Sequence, residues 1–225
     1  MTERPIFQPT KEGEVLVKKI NVEFTWFSGF SKEQKQKSVE SLHKQASKEH
    51  NIKHVLEIST KSKTSVGVSA SAFNLEMTTK SGLHASVESF YQGSKVFSGG
   101  GPYTDIYKKS SLLAKKDERL RTNQELKCFK FFGTTWDLND HFYDWLYLNA
   151  LLQNEKISTE LMNYQAFSDI EFNPKKSFNC QAYSAALYRS AQERGFNLIE
   201  IKDPKKFKKL FPKDKLINFQ LELPF

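Results

Sequence analysis

"NDHFYDWLYLNALLQN", Asn139 to Asn154, is apolar nearly all the way round a helix, with Phe142, Tyr143, Trp145, Leu146, Tyr147, Leu148, Ala150 and Leu151 spread over every face. A helix without a polar face has to lie inside a core, so this stretch predicts a central buried helix. Toward the C-terminus, "KISTELMNYQAF" continues helical, "SDIEFNPKKSFN" reads as strand then loop, and "CQAYSAALYRSAQERG" reads as a helix ending at Gly195. The tail "DPKKFKKLFPKDKLINFQLELPF" adds a short basic helix and a last strand. Toward the N-terminus, "LKCFKFFG" reads as a buried strand and "SSLLAKKDERLR" as a helix capped by Ser110 or Ser111. Further back, "EVLVKKINVEFTWF" is rich in β-branched and aromatic residues and reads as strand. "SGFSKEQKQKSVESLHKQASKEH" then reads as a helix capped by Ser31, with Val39, Leu42 and Ala46 on one face. "HVLEIST" is a short strand, and the Ser- and Thr-rich Ser59 to Ser71 that follows reads as loop; the chain start before Glu14 is polar. Helices outnumber strands and do not alternate with them, which predicts a predominantly helical α+β fold with short strands. With no internal repeat and no low-complexity linker, residues 1–225 read as a single domain.

The formal net charge is +8, and only five of the 34 basic residues are arginine: Arg4, Arg119, Arg121, Arg189 and Arg194. Lysine attracts phosphate without reading base edges, a task that favours arginine. The balance suits an anionic partner approached without sequence reading, against the alternative of a lysine-rich surface with no such partner. No apolar run approaches a membrane span and the start lacks a signal-peptide core, so a cytoplasmic location is expected. Cys128 and Cys180 form no CxxC pair, and His43, His50, His54, His84 and His141 are scattered. Neither a disulfide framework nor a metal site is expected.

"SVESFYQGSKVFSGGGPY" reads as a helix from Val87 to Phe97, capped by Ser86 and followed by glycines. At about 100° per residue, Val87, Phe90, Tyr91, Ser94 and Phe97 share a core-facing arc. Glu88, Gln92 and Lys95 fall within roughly 60° of one another at its edge. Such a stripe suits a solvated face beside a tight turn, or the centre of an active site. Gly93 inside the helix costs about 1 kcal/mol relative to Ala and needs a packing or functional reason. The glycines that follow offer backbone N–H groups able to cradle phosphate.

These residues resemble the NADAR family (related to YbiA). "SVESFYQGSKVF" resembles its central Ser-Val-Glu, Tyr-Gln and Lys-Phe motif, and "SLLAKKDERL" its Ala-Lys segment. "TWDLNDHFYDWLYLNALLQN" resembles its Trp-Asp followed by a long helix, and "ELMNYQAFSDIEF" its Leu-Leu…Val-Glu, with Glu171 at the glutamate position. Asn179 in "SFNCQAYSAAL" resembles the asparagine that opens the last family helix. The matches cover about residues 69–187, leaving an N-terminal extension, 1–65, and a basic tail, 202–225, outside the core family. "GGPYTD" and "DIEFNPKKS" resemble the branch that acts as antitoxins to DarT-type DNA ADP-ribosyltransferases. Two departures stand out. The family's Ser-Asn-Phe is Ser71-Ala72-Phe73, and its Asp-x-x-Trp-Gly is replaced by "NPKKSF".

The resemblance implies a glycosidase that removes ADP-ribose from guanine bases of DNA and opposes a DarT-type toxin, with free ADP-ribose as product and no cofactor. It implies Lys95 as nucleophile, through a Schiff base, and Glu88 as acid and base. A rival mechanism keeps both residues but has Glu88 assist oxocarbenium formation while Lys95 steadies the diphosphate. The implied substrate contacts are Phe73, Asn74, Tyr91, Gln92, Gly100, Gly101, Trp136, Glu171 and Asn179, with Phe172, Phe178 or Trp136 supplying a stacking aromatic. Lys108, Lys109, Lys115, Lys116 and Arg119 are expected along the path of a nucleic-acid backbone. Two alternatives stay open: an N-glycosidase acting on a small ribosylated metabolite, and a non-catalytic antitoxin that binds the toxin directly.

Overall fold

The computed structural model describes residues 2–121, 123–174 and 179–212. In chain order the strands are β1 (Thr2–Pro9), β2 (Val17–Phe24), β3 (Val55–Glu57), β4 (Glu76–Thr78), β5 (His84–Ser86), β6 (Lys95–Phe97), β7 (Leu126–Phe131), β8 (Thr134–Trp136) and β9 (Ala166–Ser168). The helices are α1 (Lys32–His50), α2 (Ser65–Ser69), α3 (Val87–Gly93), α4 (Ser111–Lys115), α5 (Phe142–Gln153), α6 (Glu155–Leu161), α7 (Gln181–Glu193) and α8 (Pro204–Leu210). The fold is α+β. Its contacts gather into two units, one of residues 1–71 with 155–198 and one of residues 72–154 with 199–213. The last strand expected in the tail falls in residues 213–225, outside the described residues.

The first unit holds a sheet in the order β2-β1-β9-β3, with β9 antiparallel to β1 and parallel to β3. On β2, Ile20, Val22 and Phe24 are buried while Asn21 and Glu23 are exposed, the two-residue alternation of a sheet with one face on a core. Helix α1 starts where Ser31 accepts the Gln34 N–H at 3.3 Å and ends at Asn51, whose left-handed φ of 55° lets its N–H reach the Ala46 carbonyl. Its Val39, Leu42 and Ala46 join Ile6, Val22 and Phe24 in one apolar cluster, as the helical spacing predicts. Strand β1 and helix α2 are among the elements that escaped the sequence reading, as is β9, which lies mostly in a stretch read as helical. Strand β1, "TERPIFQP", carries charges and two prolines, and pairs over its whole length with β2, from Thr2 opposite Phe24 to Pro9 opposite Val17. Helix α2 sits inside the expected Ser/Thr loop, where the Thr64 side chain accepts the Gly67 N–H at 3.1 Å. A Cβ on Gly67 would lie 2.2 Å from the Glu57 carbonyl, so only glycine lets α2 approach β3 this closely.

The second unit contains the β4–β5 pair and the sheet β6-β7-β8. Helix α5 is buried from Phe142 through Leu151, as its all-round apolar surface requires. It carries an aromatic core: Phe142 and Trp145 pack against Phe131 at 5.8 and 5.7 Å, and Trp136 meets Trp145 at 5.1 Å. Each such ring pair adds about 0.5–1.5 kcal/mol beyond the area it buries. Strands β7 and β8 are joined by Phe132 and Gly133, with φ of 42° and 80°, because Phe131 pairs directly with Thr134. The strand expected to reach Gly133 therefore stops at Phe131. Among the described residues no helix is long and apolar enough to cross a membrane.

Candidate active site

Helix α3 begins where sequence reading places it, with the Ser86 side chain accepting the Ser89 N–H at 3.1 Å. Its end differs. The helix stops at Gly93 instead of running on to Phe97: Ser94 still gives its N–H (3.1 Å) and its hydroxyl (2.7 Å) to the Phe90 carbonyl, but the chain beyond it is taken up by β7. The Ser94 carbonyl is then taken by the Lys130 N–H at 2.8 Å, and Lys95 and Val96 pair with Phe129 and Cys128 of β7. Lys95 thus stands on strand β6, not on the helix that carries Glu88. Backbone pairing across a sheet replaces helical spacing as the device that sets their separation.

Gly93 has a packing reason. A Cβ there would lie 2.6 Å from the Tyr107 ring and 3.0 Å from the Tyr103 carbonyl. Gly93→Ala gains helix propensity, yet is expected to destabilise the protein by about 1–3 kcal/mol through overpacking, read as a lowered midpoint in urea. An unchanged or raised midpoint would show that Tyr107 yields freely.

Glu88 and Gln92, one helical turn apart, are both buried, and the Gln92 side-chain amide donates to Glu88 Oε1 at 2.9 Å. The Glu88 N–H is held by the Ala72 carbonyl at 2.9 Å, which brings Phe73 beside the start of the helix. Tyr91 packs on Phe129 and Tyr143, each at 5.2 Å, and the Lys95 ammonium lies 5.0 Å from its ring centroid. On the neighbouring edge, Lys115 of α4 lies 5.1 Å from the centroid of Phe73. Burial lowers the pKa of Lys95 from 10.5 to about 8. Glu88 opposes that shift and Lys115 adds to it. At pH 7 about one Lys95 in ten is then a neutral amine, against about one in 2,500 for an ordinary lysine. Among the described residues Lys95 makes no direct ion pair, so no carboxylate contact blocks that amine.

The structure brings together Phe73, Glu88, Tyr91, Gln92 and Lys95, and adds Lys115, which sequence reading placed on a nucleic-acid path instead. Four further expected contacts, Asn74, Gly100, Gly101 and Trp136, belong to the same unit. Asn74 is exposed. Gly100 exchanges hydrogen bonds with Phe97, its N–H going to the Phe97 carbonyl at 3.3 Å, so that amide serves the turn. Gly101, with φ of 99°, passes over the Lys95 backbone, where a Cβ would meet the carbonyl at 2.3 Å. Trp136 has no exposed surface and is enclosed by Phe142, Trp145 and Phe207.

In the first unit, Glu171 is exposed and pairs with Lys35 at 3.4 Å, Asn179 is half-buried, and Phe172 is buried. Phe178 lies outside the described residues. A carboxylate pair there was not foreseen. Glu57 accepts from the Ser59 and Ser168 hydroxyls, at 2.7 and 2.6 Å, and from the Ile170 N–H at 2.9 Å. Burial raises the pKa of Glu57 and of Asp169, and each is raised further by a neighbouring carboxylate. The available signal was a Glu flanked by Leu56 and Ile58 in a short apolar strand.

Among the described residues no cluster of His, Cys, Asp or Glu is arranged to hold a metal ion. An amine of which about a tenth is neutral at pH 7, beside a buried carboxylate and on an aromatic bed, is equipped for covalent attack on an electrophilic carbon with proton transfer alongside. No curated protein matches the chain. The family model described as DarT1-associated NADAR antitoxin matches residues 2–220, all but the extreme ends, and the chain belongs to that family.

Proposed function

We propose that the protein removes ADP-ribose from guanine bases of DNA and thereby reverses the action of a DarT-type toxin, working as one NADAR unit in the cytoplasm. The observation that carries this reading is the Lys95 amine, lowered to about 8 by burial and set beside buried Glu88. In the proposed reaction the neutral Lys95 amine attacks the anomeric carbon of the ribose. The bond from that carbon to the exocyclic guanine nitrogen breaks, and the Glu88 carboxylate relays the proton shed by the attacking nitrogen to the departing one. Ring opening of the lysine adduct, with a solvent proton taken up, leaves a protonated Schiff base. Glu88, again a carboxylate, takes a proton from the water that adds to the imine carbon and returns it to solvent. Collapse releases ADP-ribose and returns Lys95 as the amine. The sum is hydrolysis, with one water consumed and no cofactor required. Tyr91 and Phe73 supply apolar surface beside the reacting carbon, and Gln92 holds the Glu88 carboxyl in place.

Short single-stranded DNA carrying ADP-ribose on guanine tests this, with thymine-modified DNA as control and free ADP-ribose followed by mass spectrometry. Release from the guanine substrate is expected, and no release from either substrate would overturn the reading. The pH profile follows from Lys95. Only the deprotonated amine attacks, so kcat/KM is expected to rise about tenfold per pH unit below the pKa of about 8 and to level off above it. A rate already flat between pH 6 and 8 would remove Lys95 as the attacking group.

A further inference from the structure

An open groove of about 650 Å³ in the second unit is lined by none of the candidate catalytic residues, but by Pro102, Tyr107, Lys108, Lys130, Phe132 and Thr135 among others. Phe132 is unusual in two ways. It is 52% exposed, and it occupies the first place of a two-residue hairpin turn with φ of 42°, a position that favours Asn or Gly. A bulky aromatic held in a disfavoured backbone region with half its surface in solvent is a candidate for function. Its ring stacks on Tyr107 at 6.0 Å with planes 21° apart. Tyr107 is itself anchored by a 3.0 Å hydrogen bond to the Ser94 hydroxyl and by Phe90 at 5.2 Å, so the exposed ring stands on a rigid base.

The charges sort themselves. Lys109 and Arg119 are engaged by Asp105 and Asp117, at distances of 2.6 to 3.7 Å. Lys108 and Lys130 are exposed and have no acidic partner among the described residues. An aromatic platform that shares a groove with two unneutralised ammonium groups matches a base flanked by phosphates. A base paired in a duplex has both faces covered, so the match is to a single strand. No arginine, asparagine or glutamine lines the groove, so it offers no bidentate reader of a base edge. The groove reaches the helix that carries Glu88: its Tyr107 packs on Phe90 of α3.

The geometry points to this groove as the seat of a single-stranded nucleic-acid segment, with one base stacked on Phe132 and adjacent phosphates on Lys108 and Lys130. This extends the reading of nucleic acid as substrate by naming a surface that holds the strand outside the reacting nucleotide. The test uses the full chain and unmodified oligothymidylate of about 12 nucleotides, with oligouridylate as a second arm, and reads binding by fluorescence anisotropy. Phe132→Asn is expected to weaken binding about tenfold without lowering the melting temperature, since Asn suits the turn, and Phe132→Tyr is expected to restore it. Lys108→Gln with Lys130→Gln is expected to reduce the slope of log affinity against log salt by about 1.4, whereas Lys18→Gln with Lys44→Gln leaves it unchanged. Unchanged affinity in Phe132→Asn, or an equal loss of slope in both lysine pairs, overturns the assignment. Equal affinity in the two arms supports a site that reads strand and phosphate, and weaker RNA binding supports DNA as its strand. Wild-type release of ADP-ribose is scored separately: release with no groove effect sinks the groove alone, and absence of release sinks the glycohydrolase while the binding result stands.

Discussion

Lys95→Ala is expected to abolish ADP-ribose release, by a factor on the order of 10³ or more in kcat, and to prevent the adduct that borohydride is expected to trap in the wild-type protein. The loss falls on kcat because the amine makes its decisive interaction as the bond to the anomeric carbon forms. Folding is not the cause. Burial lowers the pKa of Lys95, so the folded state binds its proton less tightly than the unfolded state. Below about pH 8, Lys95 is protonated in both states and its buried charge disfavours folding. Stability relative to that limit rises as pH climbs from about 8 toward the unfolded value. Replacing the ammonium therefore leaves the melting temperature at pH 7 unchanged or higher. Lys95→Met, which keeps a long apolar stem beside Tyr91, serves as the packing control and is expected to be equally inactive. A trapped adduct that persists in Lys95→Ala would reassign the nucleophile. Loss of the adduct with retained turnover would favour direct hydrolysis through an oxocarbenium ion.

Glu88→Gln is expected to lower kcat by about 10²–10⁴-fold, the usual contribution of a positioned acid and base. The substituted side chain can still accept the Gln92 amide through its carbonyl oxygen, so the helix face is kept. A second readout separates a chemical role from a merely structural one. Glu88 raises the pKa of Lys95 against the lowering effects of burial and Lys115. Removing its charge moves the rising limb of the residual pH profile to lower pH, even as the rate falls. A rate within threefold of wild type (about 0.65 kcal/mol of barrier) would exclude Glu88 from proton transfer. A slower rate whose limb does not move would show that Glu88 and Lys95 do not interact as their geometry implies. In cells, protection from the toxin that survives Glu88→Gln would point to direct toxin binding instead of catalysis.

Both experiments depend on an arrangement that was half legible beforehand. Glu88 and Gln92 meet because residues four apart on a helix share a face, a rule that needs only the sequence. Their depth was not legible. The stripe lies at the edge of the core-facing arc, and only packing decides whether such an edge is solvated or covered. Lys95 was grouped with them by helical spacing, and it does lie beside them, but by another route. Ser94 ends the helix and β7 captures the next residues, so the partner that places Lys95 is Phe129, thirty-four positions away. Asn74 and Trp136 illustrate the opposite outcome. Both sit in stretches that match the family, yet one is exposed and the other is enclosed by rings that come from α5 and α8.

What the sequence determined by itself is therefore local. The caps at Ser31 and Ser86, the alternation of β2, the buried helix α5 and the α+β class all follow from rules that act within a few residues, where backbone geometry dictates which side chains are neighbours. Tertiary structure decided what local rules cannot reach. Strand β1 exists despite its prolines and charges because β2 and β9 pair with it on both sides. Gly93 ends its helix against Tyr107, and the exposed Phe132 became visible only once its turn was closed. Lys95, the proposed nucleophile, is the clearest instance. A lysine's charge is set by how much water its surroundings exclude and by which charges stand near it. Those surroundings are built from Glu88, Tyr91, Lys115 and β7, groups that only the folded chain brings together.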